Sequence, residues 1–265
     1  MHTLIEQAFH SWPGTGEIVV AGLGQDMMLT QQMNGVTMMI QRVYADANCV
    51  AIGCLLSGAA TAVSGDDGSG ILMPMPTLVD AAGMALRQIG GGSRGTGDEI
   101  GYYFTYLTPP LPSPTPPQRF RFTVPPLRRR GTEGFPAIDG LGPFVFDLGV
   151  PVDPRARVIE PDRTGWAEDF EVTLHRVVVT PTEVRATLRG VAGRDVRGRL
   201  TVDGHEVVNG GGRRWDTAHD TLLSWVSPLY DRPGAWTITV HWRHEEVAGE
   251  WTWTGTPLSF PFVMT

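Results

Sequence analysis

Hydrophobic and polar residues alternate along two stretches of this chain, and both stretches break the alternation at the same point. Val36-Thr37-Met38-Met39-Ile40-Gln41-Arg42-Val43-Tyr44-Ala45 aligns with Phe170-Glu171-Val172-Thr173-Leu174-His175-Arg176-Val177-Val178-Val179, so that Arg42 lies over Arg176. Apolar residues take every second position (Val36, Met38, Ile40; Phe170, Val172, Leu174), one beat is skipped, and the pattern resumes at Val43 and Val177. Period two marks a strand with one buried face, and a skipped beat is what a β-bulge or bend produces. A short turn follows, Asp46-Ala47-Asn48 or Thr180-Pro181-Thr182, and then a second alternating run, Val50/Ile52/Cys54 or Val184/Ala186/Leu188. A shared slip of register is a stricter match than shared hydrophobicity, so the chain reads as two copies of one β-domain.

Elsewhere, short runs rich in β-branched and aromatic residues are punctuated by Gly and Pro, the texture of an antiparallel sandwich. The first half has strands expected near Val36–Ala45, Val50–Leu56, Met84–Ile89, Ile100–Leu107, Arg119–Val124 and Pro143–Val150. A Gly-rich loop, Gly90 to Gly97, and a Pro-rich loop, Thr108 to Pro117, separate them. The second half has strands expected near Phe170–Val179, Val184–Arg189, Arg199–Val202, Trp236–Trp242, Glu250–Thr254 and Leu258–Met264. The closing strands correspond too, Pro143-Phe144-Val145-Phe146 matching Pro257-Leu258-Ser259-Phe260. The Pro-, Asp- and Arg-rich stretch Pro151 to Gly165 reads as a linker with its boundary near Asp162. The expected fold is therefore all-β: two tandem immunoglobulin-like antiparallel β-sandwich domains, 27–161 and 162–265. Ahead of them stands an N-terminal segment, 1–26, with one short amphipathic helix from Thr3 to Trp12, ended by Pro13 and Gly14.

At 265 residues the chain is long enough for two such domains to bury their own cores. A net charge of −7 and a pI near 5.5 have the wrong sign for a general nucleic-acid or anionic-membrane surface. Its basic residues are all Arg. Cys49 and Cys54, five positions apart on a strand, point to opposite faces and are too distant for a disulfide or a shared metal, so both read as small core residues. No apolar run is long enough to span a bilayer, and the N-terminus lacks the pattern of a signal peptide. The chain as given reads as soluble, without membrane insertion of its own.

The residues Asn34-Gly35-Val36-Thr37, Arg42-Val43-Tyr44-Ala45-Asp46, Gly142-Pro143-Phe144-Val145-Phe146 and Arg157-Val158-Ile159 resemble the DUF4179 family. From Phe170 through Val177-Val178-Val179-Thr180-Pro181 to the last strand, the chain is similar to the immunoglobulin-like DUF5643 domain that follows it in such proteins. The resemblance implies the extracytoplasmic part of a bacterial membrane-anchored protein, many members being anti-sigma factors with a cytoplasmic zinc-binding segment and a transmembrane helix. This chain has neither segment, and the resemblance supplies no catalytic residue.

Candidate chemistry is sparse. Gly90-Gly91-Gly92-Ser93-Arg94-Gly95 matches both GxGxxG and GxSxG, but both need a helix after the turn, and here Thr96-Gly97-Asp98 leads into a strand. A flexible hairpin loop is expected. Asp216, His219 and Asp220 share a face if Trp215 to Leu223 is a helical turn, making them the candidate metal ligands, with a solvated surface as the competing reading. Asp66-Asp67-Gly68-Ser69-Gly70 lacks the alternation of a calcium loop and reads as a turn. His241 and His244 fall on opposite strand faces, and Arg128-Arg129-Arg130 reads as a solvated loop. Trp236, Ile238, Val240 and Trp242 share one strand face and point into a core, which leaves Trp215, Trp225, Trp251 and Trp253 as possible stacking platforms.

No catalytic constellation and no cofactor motif emerge. The expected function is a non-enzymatic extracytoplasmic recognition or sensor module for a protein or cell-envelope component. The alternatives are a structural protein that self-associates through strand edges, with Met27-Met28-Leu29 as a donor strand or the first strand of its own domain, and a carbohydrate- or metal-binding module or enzyme using the loop from Trp215 to Asp220.

Overall fold

The computed structural model describes residues 3–10, 15–58, 71–95, 98–108, 117–129, 136–168, 170–191, 193–207, 213–216, 219–226, 229–242, 244–247, 250–253 and 255–265. The chain divides into two units, Met1–Pro154 and Arg155–Thr265. This division lies ahead of Asp162 because Arg157–Ile159 pairs with Val177–Val179 and so belongs to the second unit.

Unit one begins with helices α1 (Leu4–His10) and α2 (Thr15–Val20). A capping box starts α1: the Thr3 amide donates to Glu6 Oε2 at 2.8 Å and the Glu6 amide to Thr3 Oγ1 at 3.2 Å, satisfying two otherwise orphaned donors. Its strands are β1 (Gln25–Met33), β2 (Val36–Ala45), β3 (Cys49–Ser57), β4 (Ile71–Leu72), β5 (Thr77–Asp80), β6 (Gln88–Arg94), β7 (Glu99–Leu107), β8 (Gln118–Val124), β9 (Arg128–Arg129) and β10 (Phe144–Val150). One sheet runs β1-β2-β3-β7-β6 and the other β10-β8-β5, with β4 and β9 as a separate pair.

Unit two holds β11 (Arg157–Ile159), β12 (Arg163–Ala167), β13 (Phe170–Val179), β14 (Val184–Arg189), β15 (Val196–Val202), β16 (His205–Glu206), β17 (Arg213–Asp216), β18 (Asp220–Trp225), β19 (Gly234–Trp242), β20 (His244–Val247), β21 (Glu250–Trp253) and β22 (Leu258–Met264). Strands β11 and β12 both pair with β13, which continues to β14-β18-β17; the facing sheet runs β16-β15-β19-β22, and β20 pairs with β21. With β2 and β13 as strand A, both units follow the immunoglobulin order A-B-E-D in one sheet and C-F-G in the other; β1 is added before A in unit one, and β11 and β12 before A and β16 beside C in unit two. The repeat in the sequence is thus a repeat of topology.

The skipped beat is a β-bulge in both copies. Register shifts between Ile40 and Arg42 against β3, and between Leu174 and Arg176 against β14. In each copy the arginine that follows the residue skipped by the ladder meets an acid at the sheet edge: Arg42 Nε lies 2.9 Å from Asp26 Oδ1, and Arg176 Nε 3.9 Å from Glu160 Oε1. The following turn also repeats, closed by Asp46 N–H to Cys49 O and by Thr180 N–H to Glu183 O, both at 2.9 Å.

Each unit has its own core. Val36, Met38, Ile40, Phe122, Phe144 and Leu148 are among those filling the first; Phe170, Leu174, Trp225, Trp236, Ile238 and Phe260 are among those filling the second. Cys54 is in the first core, where burial pushes its thiol far up from the ordinary range. Cys49 packs in a separate layer with Ile5, Phe9 and Tyr103, on the outer side of the sheet. The cysteines thus fall on opposite faces, as their spacing predicts.

Further expectations change: the strand expected at Met84–Ile89 begins only at Gln88 and runs on to Arg94. Segment 1–26 is part of unit one: Ile5, Ala8 and Phe9 recur at helical spacing and bury against β3 and β7. A Cβ on Gly53 would lie 2.5 Å from the Phe9 ring, and one on Gly101 2.7 Å from the Leu4 carbonyl, so two glycines make the seat for α1. Helix α2 is additional. Strand β1 pairs with its own β2, with Met27, Leu29 and Met33 packed on the core, so Met27-Met28-Leu29 is the unit's own strand rather than a donor. Most of the Gly90–Gly97 run is strand β6, whose glycines lie close to the Tyr103 and Phe104 rings of β7.

Edge strand β10 is closed by a side chain. The Val145 amide donates to Gln31 Oε1 at 3.0 Å, and Gln31 Nε2 donates back to the Val145 carbonyl.

Candidate functional site

The residues singled out in the sequence do not converge. Trp215 to Leu223 is not a helical turn: β17 and β18 form an antiparallel hairpin in which Asp216 stands opposite Thr221. The shared helical face of Asp216, His219 and Asp220 does not form, and Asp220 Oδ1 lies 3.4 Å from Arg189 Nε. Among the described residues no group of three His, Cys, Asp or Glu side chains is placed to hold a metal ion. Trp225, Trp236 and Trp242 are buried in the second core, which removes Trp225 as a platform; Trp215 lies on β17, and Trp251 and Trp253 on β21. His241 lies on β19 and His244 opens β20. Arg128 and Arg129 form β9, against Leu72 and Ile71. Asp66 to Gly70 and Arg130 lie outside the described residues.

A concavity with no counterpart among the motifs lies on the outer face of β10-β8-β5. It has a volume of about 720 Å³, opens widely to solvent and is lined by Val79, Asp80, Arg119, Arg121, Asp147 and Gly149, among others. The alternation in Arg119-Phe120-Arg121-Phe122 buries Phe120 and Phe122 and turns both arginines outward. Arg119 stands opposite Gly149, and Arg121 opposite Asp147. A Cβ on Gly149 would meet nothing within 4 Å, so the groove exists partly because that strand position carries no side chain.

The groove's charged side chains are engaged with one another and with the backbone. Arg121 Nε donates to Asp147 Oδ1 at 2.9 Å, and that hydrogen bond, with the carboxylate charge, raises the guanidinium further above its ordinary range. Asp80 Oδ1 accepts from the Ala82 amide at 2.9 Å and the Met84 amide at 2.8 Å, holding the turn at one end. Both carboxylates therefore already have hydrogen-bond partners. The period-two pattern predicts the outward arginines, but the gap at Gly149 depends on which strand lies beside them.

Buried polar groups elsewhere are also structural. Asp46 Oδ1 accepts from the amides of Asn48 and Cys49 at 2.7 and 2.8 Å, and Tyr44 donates its hydroxyl to Asp46 Oδ2 at 2.9 Å. Burial first, then the Asp46 charge, pushes the Tyr44 hydroxyl far above the ordinary phenol range. In unit two Glu183 and Arg185, both buried, form an ion pair, with the Ser224 hydroxyl 3.5 Å from Glu183 Oε2.

No family model matches the chain, and no curated protein matches it. Among solved structures, the chain is similar to a conserved domain protein from Bacillus anthracis, with a TM-score of 0.62, 13% identity, and coverage of 92% of this chain and 91% of that one. Matches to the titin domains A168–A169 (TM-score 0.20, 10% identity, 82% of this chain and 91% of that one) and to a marsupial T cell receptor (0.22, 13%, 87% and 61%) fall far lower. The likeness to the Bacillus protein extends over both units and shows the fold: an all-β chain of immunoglobulin-like sandwiches.

Proposed function

We propose that the chain is a non-enzymatic extracytoplasmic recognition module, in the manner of the ectodomain of an anti-sigma-factor-like signalling protein, that binds a protein or cell-envelope component. One observation carries this reading: the groove beside Gly149 is open to solvent along a sheet face, with its carboxylates already engaged. Such a surface receives an extended partner along its length, whereas a pocket that encloses a small substrate buries most of that substrate's surface. The resemblance to DUF4179 and DUF5643 supports the extracytoplasmic placement. No helix among the described residues is long and apolar enough to cross a membrane.

Binding of the labelled chain to cell-envelope preparations from its own organism tests this proposal. Saturable binding is expected, reduced by Gly149→Trp, whose Cβ enters open space and whose ring then occupies the groove, and by Arg119→Glu. Absence of saturable binding, or binding indifferent to both substitutions, would sink it. Light scattering at two concentrations tests the alternative of self-association: mass growth that Gly149→Trp leaves unchanged would favour assembly through edges.

A further inference from the structure

On the outer face of β16-β15-β19-β22, positive charge gathers where the fold has no need of it. Strand β15 turns Leu200 and Val202 into the core, so Arg197, Arg199 and Thr201 face outward; β19 does the same with Thr237, Thr239 and His241. The ladder sets Arg197 opposite His241, Arg199 opposite Thr239, and Thr239 opposite Ser259. Two arginines thus sit about 7 Å apart along one strand, with an imidazole directly across from the first.

Glu206 Oε2 lies 2.9 Å from Arg199 Nη2 and answers one of these charges. Burial, then the charges of Arg199 and Arg197, hold His241 below the ordinary imidazole range, and Glu206 opposes them. Beside the cluster, the Thr239 and Ser259 hydroxyls lie 3.2 Å apart. Like charges two positions apart on one strand repel each other, and both arginines lie on the outward face rather than in the core. The whole chain is acidic, at −7, so the patch runs against its average charge.

We infer that Arg197, Arg199 and His241, with the Thr239 hydroxyl beside them, form a binding site for a tetrahedral oxyanion, a phosphate or sulfate group. Each guanidinium fork matches a pair of such oxygens. The imidazole and the hydroxyl supply further donors from the next strand. The anion removes the repulsion between the arginines and favours protonation of His241, so occupancy and imidazole charge are linked. A soluble ion and a lipid headgroup share this chemistry.

The test follows the His241 ring by NMR across pH in the full chain, at an ionic strength fixed with sodium chloride, with sodium sulfate as the probe. Sulfate is expected to move the His241 titration upward and to saturate. Arg197→Ala is expected to weaken sulfate about tenfold, the scale of one lost charge-assisted hydrogen bond. It should also let His241 titrate closer to its ordinary value without sulfate, because the Arg197 charge no longer opposes the imidazolium; the loss of the sulfate-induced shift is the readout that separates a bound anion from this direct charge effect. In a second arm, the chain is sedimented with phosphatidylcholine vesicles with or without phosphatidic acid. Binding to the charged vesicles that is lost in Arg197→Ala/Arg199→Ala assigns the oxyanion to a headgroup; a sulfate response without vesicle binding assigns it to a soluble ion. Failure of both arms, or equal responses in the double variant, overturns the site. Arg→Gln at both positions carries the same test if the alanine variants fold poorly.

Discussion

The same sheet face is treated differently in the two units, and the contrast shows how one backbone serves two surfaces. In unit one the outer face of β3 and β7 presents Gly53, Leu55, Gly101 and Tyr103, and α1 lies on it. The ladder equivalents in unit two are Thr187, Arg189, Asp220 and Leu222, with Arg189 and Asp220 forming an ion pair. Where glycines leave the sheet smooth, a helix can come within van der Waals distance and add an apolar layer. Where Thr187 and a charged pair stand, the same approach would clash and strand charges away from water. Two side chains lost from one face therefore decide whether the sandwich has two layers or three.

The largest test of that contrast is Phe9→Ala. Its ring is fully buried, so unit one should lose about 3–5 kcal/mol, read as an earlier denaturant transition while the transition of unit two stays in place. A single transition that moves as one would show that the units do not unfold separately. Next comes Gly53→Ala, whose new methyl would meet Phe9 and Ile5 and should cost about 1–3 kcal/mol by overpacking. The reciprocal Thr187→Gly in unit two should cost only about 1 kcal/mol.

The repeated turn sharpens the comparison at the next level. Asp46→Ala leaves two amides and the Tyr44 hydroxyl without their acceptor and should cost about 2–3 kcal/mol, whereas Thr180→Ala removes a longer bond, 3.3 Å to the Glu183 amide, and should cost about 1 kcal/mol. Tyr44 adds a pH signature: its raised value means that the unfolded chain loses that proton first, so stability should fall as pH rises above about 10. Thermal melts of Tyr44→Phe should show a shallower alkaline decline. His241 acts in the acid direction. Its folded value lies below the ordinary one, so the unfolded chain binds the proton more readily and stability should fall as pH drops below about 6.5, an effect His241→Gln should flatten. The smallest difference is expected from the bulge arginines: Arg42→Ala should cost at most about 1 kcal/mol and Arg176→Ala less, because both pairs are partly exposed and the second is longer.

Much of this fold can be read in the chain because period two survives wherever one strand face is buried, as in Val36–Ala45 and Phe170–Val179. The paired Arg42 and Arg176 are visible as a repeat, but their acidic partners are not, since Asp26 and Glu160 reach them only through strand pairing. Strand β6 is hidden because glycine has little strand preference of its own; it is held by the rings of β7. The helical turn expected around Asp216 fails because pairing with β14 favours a hairpin there over local spacing. The groove was illegible because it is made by a missing side chain at Gly149 beside Arg119, a property of two strands rather than of either sequence segment.

Gln31 has a consequence for how copies of this chain can join. By occupying both outward backbone groups of Val145, it fills the rung that a foreign ribbon would need in order to dock alongside β10. Pairing at that rung is thereby opposed by one amide, and exchanging Gln31 for a shorter apolar residue is expected to free it.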